Sequence, residues 1–200
     1  MKRLLSLLLV VFVAGCADLA IIPPAASPGG PAWDARLQDL YKLQQWSIRG
    51  HLAVQAGGEG WSATLHWDQD QQNYTLRLIA PLGQGTYQLT NDAGKVTLLT
   101  ADNKVYQATD AESLLQNNLG WNVPLHGLKY WVRGAPEPGV TTDSLLLDDK
   151  GRMTDLQQSG WRISISRYSE FQGQELPSKL YMQNDRFQLR LVVLDWKTTS

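Results

Sequence analysis

Apolar and polar residues alternate with a period of two along most of the chain after residue 46. In the clearest run, Trp61, Ala63, Leu65 and Trp67 are separated by residues with polar side chains. A β-strand with one buried and one solvated face produces this alternation. Turn residues separate the successive runs. The pattern therefore predicts about eleven strands, at 47–56, 61–68, 74–80, 86–91, 95–100, 104–108, 144–148, 152–158, 161–168, 179–183 and 186–194.

Three segments follow a helical period instead. Apolar residues recur at three- and four-residue spacing in 31–41, which opens on a proline. A capping box formed by Thr109 and Glu112 begins the second helix, 109–120. The third helix, 124–134, also opens on a proline, and each of the last two ends at a glycine.

The order of these elements predicts the fold class. Short strands joined by hairpin turns form an antiparallel sheet, and a sheet of about eleven strands curls. With its apolar faces inward, it becomes a mainly β (α+β) fold: an open barrel of about eleven antiparallel strands, with about three helices as plug or lid. The interior of such a barrel must be filled by side chains, by helices or by a ligand.

The first 16 residues resemble a bacterial lipoprotein signal. Lys2 and Arg3 precede the apolar run 4–13, and small residues then lead to Cys16. A basic start, a short apolar stretch and small residues before the cleavage point are typical of an export signal. The run is about half of the roughly 20 residues that a membrane-spanning helix needs. We therefore expect 1–15 to be cleaved.

In that signal class the thiol of the cysteine is acylated. Residues 16–32 are rich in alanine, proline and glycine, so they form a lipidated tether ahead of a single half-barrel domain at 33–200. Cys16 is the only cysteine, and once acylated it leaves no thiol for a disulfide or a metal. The covalent lipid is the only attached group that we expect, with no cofactor and no metal.

Composition narrows the function further. Loss of Lys2 and Arg3 with the signal leaves 16 basic and 19 acidic residues, with no basic block to bind nucleic acid. Eight tryptophans and seven tyrosines stand against three phenylalanines. Trp and Tyr are large apolar bodies with one polar group, so they suit an apolar wall that is sometimes wet.

Enzymatic motifs are missing from the sequence. It contains no Gly-x-Ser-x-Gly elbow, no phosphate-binding glycine loop and no His-Glu-x-x-His. His66 and Asp68 share one face of a strand, and His51 lies on the neighbouring one. A metal site or an acid–base pair is one interpretation, and polar residues on the solvated face of a sheet are the favoured one. We predict that the chain is not an enzyme.

One loop has an unexpected residue at its tip. Pro81 and Gly83 explain a tight turn between two strands, but Leu82 between them is apolar. Leu82 either folds back onto the barrel rim or stands exposed as a probe that touches a membrane or a lipid chain.

Taken together, these motifs resemble the LolB family of outer-membrane lipoproteins over nearly the whole mature chain. The residues that carry the resemblance are Cys16, Trp33, Leu43, Trp46, Arg49-Gly50, Trp67, Pro81-Leu82-Gly83, Pro124-Leu125, Leu128, Trp131, Gly134, Pro136 and Asp195-Trp196.

The resemblance implies an open barrel of eleven strands and three helices, and a receptor for other lipoproteins. Such a receptor is anchored in the outer membrane, faces the periplasm, accepts acylated lipoproteins from a LolA-like periplasmic carrier and inserts them into the inner leaflet. We expect a monomer. Leu82 matches the exposed leucine that the family needs for insertion. Ala17 follows the cysteine where an aspartate would signal retention at the inner membrane, although Asp18 comes next.

A receptor for acyl chains needs an apolar cavity, and inward-facing residues of the strands and helices are the candidate lining. These are Trp61, Leu65, Trp67, Leu76, Leu78, Tyr87, Leu89, Leu128, Trp131, Trp161, Ile163, Leu189 and Leu191. Leu114 and Leu115, with Leu128 and Trp131, would form the lid.

Two other functions remain open from the sequence. The chief alternative is a lipid-anchored structural or protein-binding scaffold of the cell envelope, whose barrel core is filled by the same apolar side chains. A weaker one is a lipid-modifying hydrolase that uses His66 and Asp68. An open apolar cavity would favour the receptor, and a filled interior the scaffold.

Overall fold

The computed structural model describes residues 29–199, so the signal, Cys16 and most of the predicted tether lie outside the described residues. Within 29–199 the chain forms three α-helices and eleven β-strands. In chain order these are α1 (Pro31–Lys42), β1 (Gln45–Ala56), β2 (Glu59–Asp70), β3 (Asn73–Ile79), β4 (Thr86–Asp92), β5 (Lys95–Leu99), β6 (Val105–Ala108), α2 (Ala111–Leu119), α3 (Leu125–Trp131), β7 (Thr142–Leu147), β8 (Met153–Gln158), β9 (Trp161–Phe171), β10 (Gln174–Gln183) and β11 (Phe187–Thr199).

All eleven strands belong to one antiparallel sheet, in the order β6-β5-β4-β3-β2-β1-β11-β10-β9-β8-β7. The two edge strands, β6 and β7, do not pair, so the barrel stays open. Helices α2 and α3 lie in the connection between these edges. The predicted fold class, an open antiparallel half-barrel with three helices, is confirmed.

Several element boundaries differ from the prediction, including the end of β11 at Thr199 and both ends of α3, and two of the differences have local chemical reasons. The second helix begins at Ala111, and its N-cap is Asp110, whose carboxylate accepts a 2.7 Å hydrogen bond from the Ser113 amide; Thr109 is not the cap. Strand β10 begins five residues earlier than predicted. The pattern does not detect its first half because Pro177 interrupts the alternation of apolar and polar residues. The register with β9 shifts directly after this proline, which has no N–H to donate.

The middle of the sheet depends on a bulge opposite a glycine. Strands β1 and β11 change register between Arg49 and Gly50, which leaves Leu194 as an extra, 60% exposed residue. A Cβ on Gly50 would overlap the Val192 carbonyl oxygen. The bulge also reverses the inward parity of β11, so Trp196 is buried.

That reversal completes a tryptophan cluster on the inner face of the central strands, near the start of β1. The ring of Trp46 lies 5.1 Å from Trp67 and 5.4 Å from Trp196, centroid to centroid. The indole N–H of Trp196 donates to the Pro177 carbonyl at 2.9 Å. Three tryptophans that are far apart in the sequence therefore join β1, β2 and β11 from the inside.

A buried arginine fastens α3 to the end of α1. The Nη1 group of Arg133 donates to the carbonyl oxygens of Leu40 (2.8 Å) and Leu43 (2.5 Å), and its Nε donates to the carbonyl oxygen of Lys129. The Leu40 and Leu43 carbonyls lie at the C-terminal end of α1, where carbonyl groups have no hydrogen-bond partner within the helix. Burial lowers the pKa of Arg133 to about 10. The contact fixes where α3 sits over the sheet.

The interior beside β8, β9 and β10 is filled by side chains. Trp131 of α3 is completely buried there, and its indole N–H donates to the Gln158 side chain at 2.9 Å. The same amide oxygen of Gln158 accepts from the Glu137 backbone N–H, so this buried polar group is satisfied. The residues of the buried hydrophobic core on these strands are Met153, Leu156, Trp161, Ile163, Ile165, Leu176, Leu180 and Met182. None of the helices in 29–199 is long and apolar enough to cross a bilayer.

Candidate functional site

The half of the barrel formed by β1 to β5, together with β11, is hollow. It encloses a cavity of about 830 Å³, counted out to its mouth, and no polar atom faces it. The wall consists of Leu52, Val54, Trp61, Leu65, Trp67, Leu76, Leu78, Tyr87, Leu89, Leu98, Leu115, Leu119, Trp121, Val123, Leu125, Leu128, Val132, Met182, Phe187, Leu189 and Leu191.

Most of the residues predicted to line a cavity lie on this wall. They are Trp61, Leu65, Trp67, Leu76, Leu78, Tyr87, Leu89, Leu128, Leu189 and Leu191. Of the four predicted lid residues, Leu115 and Leu128 also contact the cavity.

Three predicted lining residues are placed elsewhere, which corrects the prediction. Trp131, Trp161 and Ile163 belong to the filled half, where the rings of Trp131 and Trp161 lie 6.3 Å apart. Leu114, predicted for the lid, is buried but does not line the cavity. The reason is that a period of two identifies an inward side chain without showing whether another side chain fills the space in front of it.

The connection between α2 and α3 supplies wall residues that the sequence pattern missed. Gly120 ends α2 in a left-handed conformation, and its amide donates to the Gln116 carbonyl. Trp121 and Val123 then point into the cavity. In the sequence, Trp121 and Val123 alternate with a polar residue between Gly120 and Pro124. This alternation could have indicated inward side chains, but it is too short to distinguish from a linker.

Aromatic rings close one end of the cavity. Trp61 of β2 and Trp121 stack at 5.1 Å with an interplanar angle of 15°, and Tyr87 of β4 lies 5.8 Å from Trp121. All three are partly exposed. On their outer side they line a depression together with Ala80, Pro81 and Gln84. The aromatic rings therefore stand between the cavity and the loop that carries Leu82.

Leu82 is the most exposed large apolar side chain in 29–199, at 97% of its surface. The alternative that it folds back onto the rim is wrong. Its φ of 55° is left-handed, a conformation that costs a residue with a Cβ roughly 1–2 kcal/mol. Gly85, with a φ of 112°, closes the loop against Ala101, and a Cβ there would overlap that side chain. Stability alone explains neither the exposure nor the strain.

The polar residues considered for catalysis lie on the outer face of the sheet. His66 is opposite Arg49 and Arg77 on the neighbouring strands, and Asp68 is exposed. His51 pairs with Thr64 rather than with either of them. Across the part of the chain that the structure describes, no three His, Cys, Asp or Glu side chains are placed to hold a metal ion. This is the solvated face of the sheet.

Comparison with known proteins identifies the family. The model of the outer membrane lipoprotein LolB family matches residues 44–196. The outer-membrane lipoprotein LolB of Nitrosococcus oceani is 35% identical over 191 residues, which cover 96% of this chain and 94% of that protein. The chain belongs to the LolB family. This confirms the resemblance and the predicted function class, an outer-membrane lipoprotein receptor and not an enzyme.

Other relatives agree. The LolB of Pseudomonas syringae is 35% identical over 198 residues, 98% of this chain and 96% of that protein. Among solved structures, a LolA superfamily protein from Nitrosomonas europaea superposes with a TM-score of 0.55 over 84% of this chain and 94% of that one, at 8% identity. A Vibrio parahaemolyticus domain named for outer membrane lipoprotein sorting gives 0.53 over 83% and 92%, at 9% identity. These two likenesses show a shared fold.

Two matched substitutions on β1 test whether the cavity of this LolB-family chain binds an apolar ligand. Leu52→Trp places a bulky ring into the cavity, whereas Ala53→Trp, its neighbour on β1, points to solvent. We expect the first to weaken binding of an uncharged naphthylamine dye at least tenfold, or about 1.4 kcal/mol, and the second to leave it unchanged. Fluorescence titration of the purified variants measures this. Equal affinities would show that the dye binds outside the cavity.

Proposed function

We propose that this chain accepts the acyl chains of a lipoprotein in its apolar cavity and inserts them into the outer membrane beside Leu82. The observation that supports this most is the arrangement at one end of the half-barrel. An all-apolar cavity, a partly exposed aromatic stack and a fully exposed leucine follow one another there.

The energetic problem is the exposure of acyl chains to water. Transfer of a sixteen-carbon chain into water costs roughly 12 kcal/mol, at about 0.8 kcal/mol for each methylene group. A carrier and a receptor that both provide apolar walls avoid most of this cost. The cavity has no polar group that would need to be desolvated. Each transfer step then needs only about 1.4 kcal/mol for a tenfold bias.

The hollow half favours the receptor over the scaffold. A scaffold core gains stability from close packing and loses dispersion contacts at every void. Here α3 fills the space beside β8 and β9 with Trp131, yet the space beside β1 to β5 stays open. An interior that is packed in one half and open in the other fits a binding site better than a filled core.

The partners and the anchor complete the proposal. Acylated Cys16 and the tether 16–32 would hold the domain at the inner leaflet, facing the periplasm. A LolA-like carrier would deliver an acylated lipoprotein to the monomeric receptor, and both proteins would share the half-barrel fold. The domain itself would lie at 33–200, after cleavage of 1–15.

A charge at the loop tip is expected to separate acceptance from insertion. Leu82→Glu leaves the cavity wall intact but puts a carboxylate where the proposal requires contact with the bilayer. We expect normal uptake of an acylated lipoprotein from the carrier and a loss of at least tenfold in its insertion into vesicles. A reconstituted transfer assay with separate carrier, receptor and vesicle fractions measures both steps.

The control for that variant is Gln84→Glu, because Gln84 is exposed in the same loop and the charge change is the same. It is expected to insert cargo nearly as well as the unsubstituted protein. Normal insertion by Leu82→Glu, or an equal loss in both variants, would remove the role proposed for Leu82.

The proposed anchor predicts a different defect. Cys16→Ala removes the acylation site and leaves every residue of the cavity unchanged. We expect cargo acceptance to persist, while delivery no longer discriminates between outer- and inner-membrane vesicles offered together. Loss of acceptance itself would show that the lipid does more than localise the domain.

A further inference from the structure

A polar pocket adjoins the cavity at the end of the half-barrel away from Leu82. This pocket, of about 610 Å³, lies beside the β2–β3 turn at Gln71 and Gln72. Three apolar residues, Trp67, Leu76 and Leu125, line both the pocket and the cavity. The two spaces are therefore neighbours that share one apolar wall. The remaining residues of the pocket are Gln69, Gln72, Tyr74, Asn91, Val96, Thr109, Asp110, Ala111, His126 and Lys129.

Lys129 and Tyr74 are two hydrogen-bond donors that line this pocket. Lys129 has three donor hydrogens, and its Nζ meets the Gln72 side-chain oxygen at 3.4 Å while lying 5.1 Å from the Tyr130 ring centroid. Burial, and the charge of Arg133, lower the pKa of Lys129. Burial raises the pKa of Tyr74 to about 12, so its hydroxyl keeps its proton at neutral pH.

Other amides of the pocket are already engaged. The oxygen of the Gln69 side chain accepts from the Trp67 indole, and its nitrogen donates to the Gln71 and Asn73 carbonyls. The nitrogen of Asn91 donates to the Gln72 carbonyl. These bonds hold Gln69 and Asn91 in place, whereas Lys129 and Tyr74 keep donor hydrogens that a guest could accept.

The inward faces of two strands connect this polar pocket to the aromatic end. On β3, Tyr74 lines the pocket, Leu76 lines both spaces and Leu78 lines the cavity. On β2, Gln69 and Trp61 mark the two extremes, eight residues apart, or about 26 Å at about 3.3 Å per residue. The inward surface of these strands therefore changes along its length from polar, through apolar, to aromatic.

We propose that a bound acyl chain lies along this axis, with its ester or amide carbonyl in the polar pocket and its terminal methyl at the Trp61–Trp121 stack. This inference rests on the proposed function and adds the site for the linkage that joins acyl chain and cargo. An ester carbonyl accepts hydrogen bonds and donates none, so it fits Lys129 and Tyr74. In the reverse orientation the carbonyl would lie at the aromatic end, away from Lys129 and Tyr74, where no polar atom faces the cavity.

The orientation determines the order of release. The methyl end is next to the aromatic rings, and the Leu82 loop lies directly beyond them. The chain then leaves tail-first into the bilayer, while the polypeptide of the cargo, attached at the carbonyl end, stays at the opposite end. Trp61, Trp121 and Tyr87 are the rings that must part for the tail to pass.

Photo-cross-linking of the unsubstituted full chain tests the orientation. The probes are two methyl esters of a sixteen-carbon acid, one with a diazirine next to the ester and one with a diazirine at the terminal carbon. Mass spectrometry of the cross-linked peptides is expected to place the first at Trp67, Leu125 and Lys129, and the second at Trp61 and Trp121. We expect a preference of at least tenfold in each case, or about 1.4 kcal/mol.

A variant tests the part played by the ammonium group. Lys129→Met keeps an unbranched apolar stem over the Tyr130 ring but removes the donor. In this variant the tenfold preference is expected to fall toward one among the probe molecules that bind. Lys95→Met, an exposed lysine on β5, is the matched control and should keep the preference.

The outcomes separate this inference from the function on which it rests. Uptake with the reverse pattern, or with both probes spread evenly, would overturn the orientation and leave the cavity as the acyl site. Unchanged preference in Lys129→Met would overturn the role of that ammonium group. Cross-links scattered over the outer face, with none on the cavity wall, would contradict the proposed function itself.

Discussion

The inward face of an eleven-stranded open sheet presents more apolar surface than three short helices can cover. Helices α2 and α3 have nine and seven residues. Arg133 fixes α3 against the end of α1, and Trp131 then fills the space beside β8 and β9. The inner face of β1 to β5 is packed less closely, because Leu115, Leu119 and Leu128 of α2 and α3 stand on the opposite wall of the cavity. The residues of the cavity wall lack dispersion contacts that a filled core would make. The protein is less stable for this reason, but the open space leaves room for a guest.

Much of this architecture can be predicted from the sequence, because period-two alternation and turn residues define the strands and their inward faces. The pattern fails where the deciding fact is three-dimensional. Trp131, Trp161 and Ile163 face inward as predicted, but whether an inward residue meets a void or a side chain depends on where α3 sits. Trp121 was missed because a two-residue alternation between Gly120 and Pro124 has no periodicity to detect. Leu82 was visible because an apolar residue at a turn tip contradicts the usual polarity of turns.

The functional features form a line rather than a single pocket. From the Gln72 turn to the Leu82 loop, the inward surface changes from hydrogen-bond donors to aliphatic side chains and then to stacked indoles. The exposed Leu82 of the Pro81–Gly83 turn lies beyond the last aromatic ring, in a left-handed backbone conformation. A surface graded in this way gives a guest a direction, so binding and release need not use the same end.

Transfer of an acylated lipoprotein from a loaded LolA-like carrier to this protein tests the central claim most directly. The measured quantity is the fraction of cargo that leaves the carrier and co-purifies with receptors carrying Leu52→Trp or Ala53→Trp. If the acyl chains enter the cavity, blocking it with Leu52→Trp reduces the transferred fraction severalfold, and Ala53→Trp transfers cargo as the unsubstituted protein does. Equal transfer to both variants would contradict the account, because cargo would then bind without using the cavity.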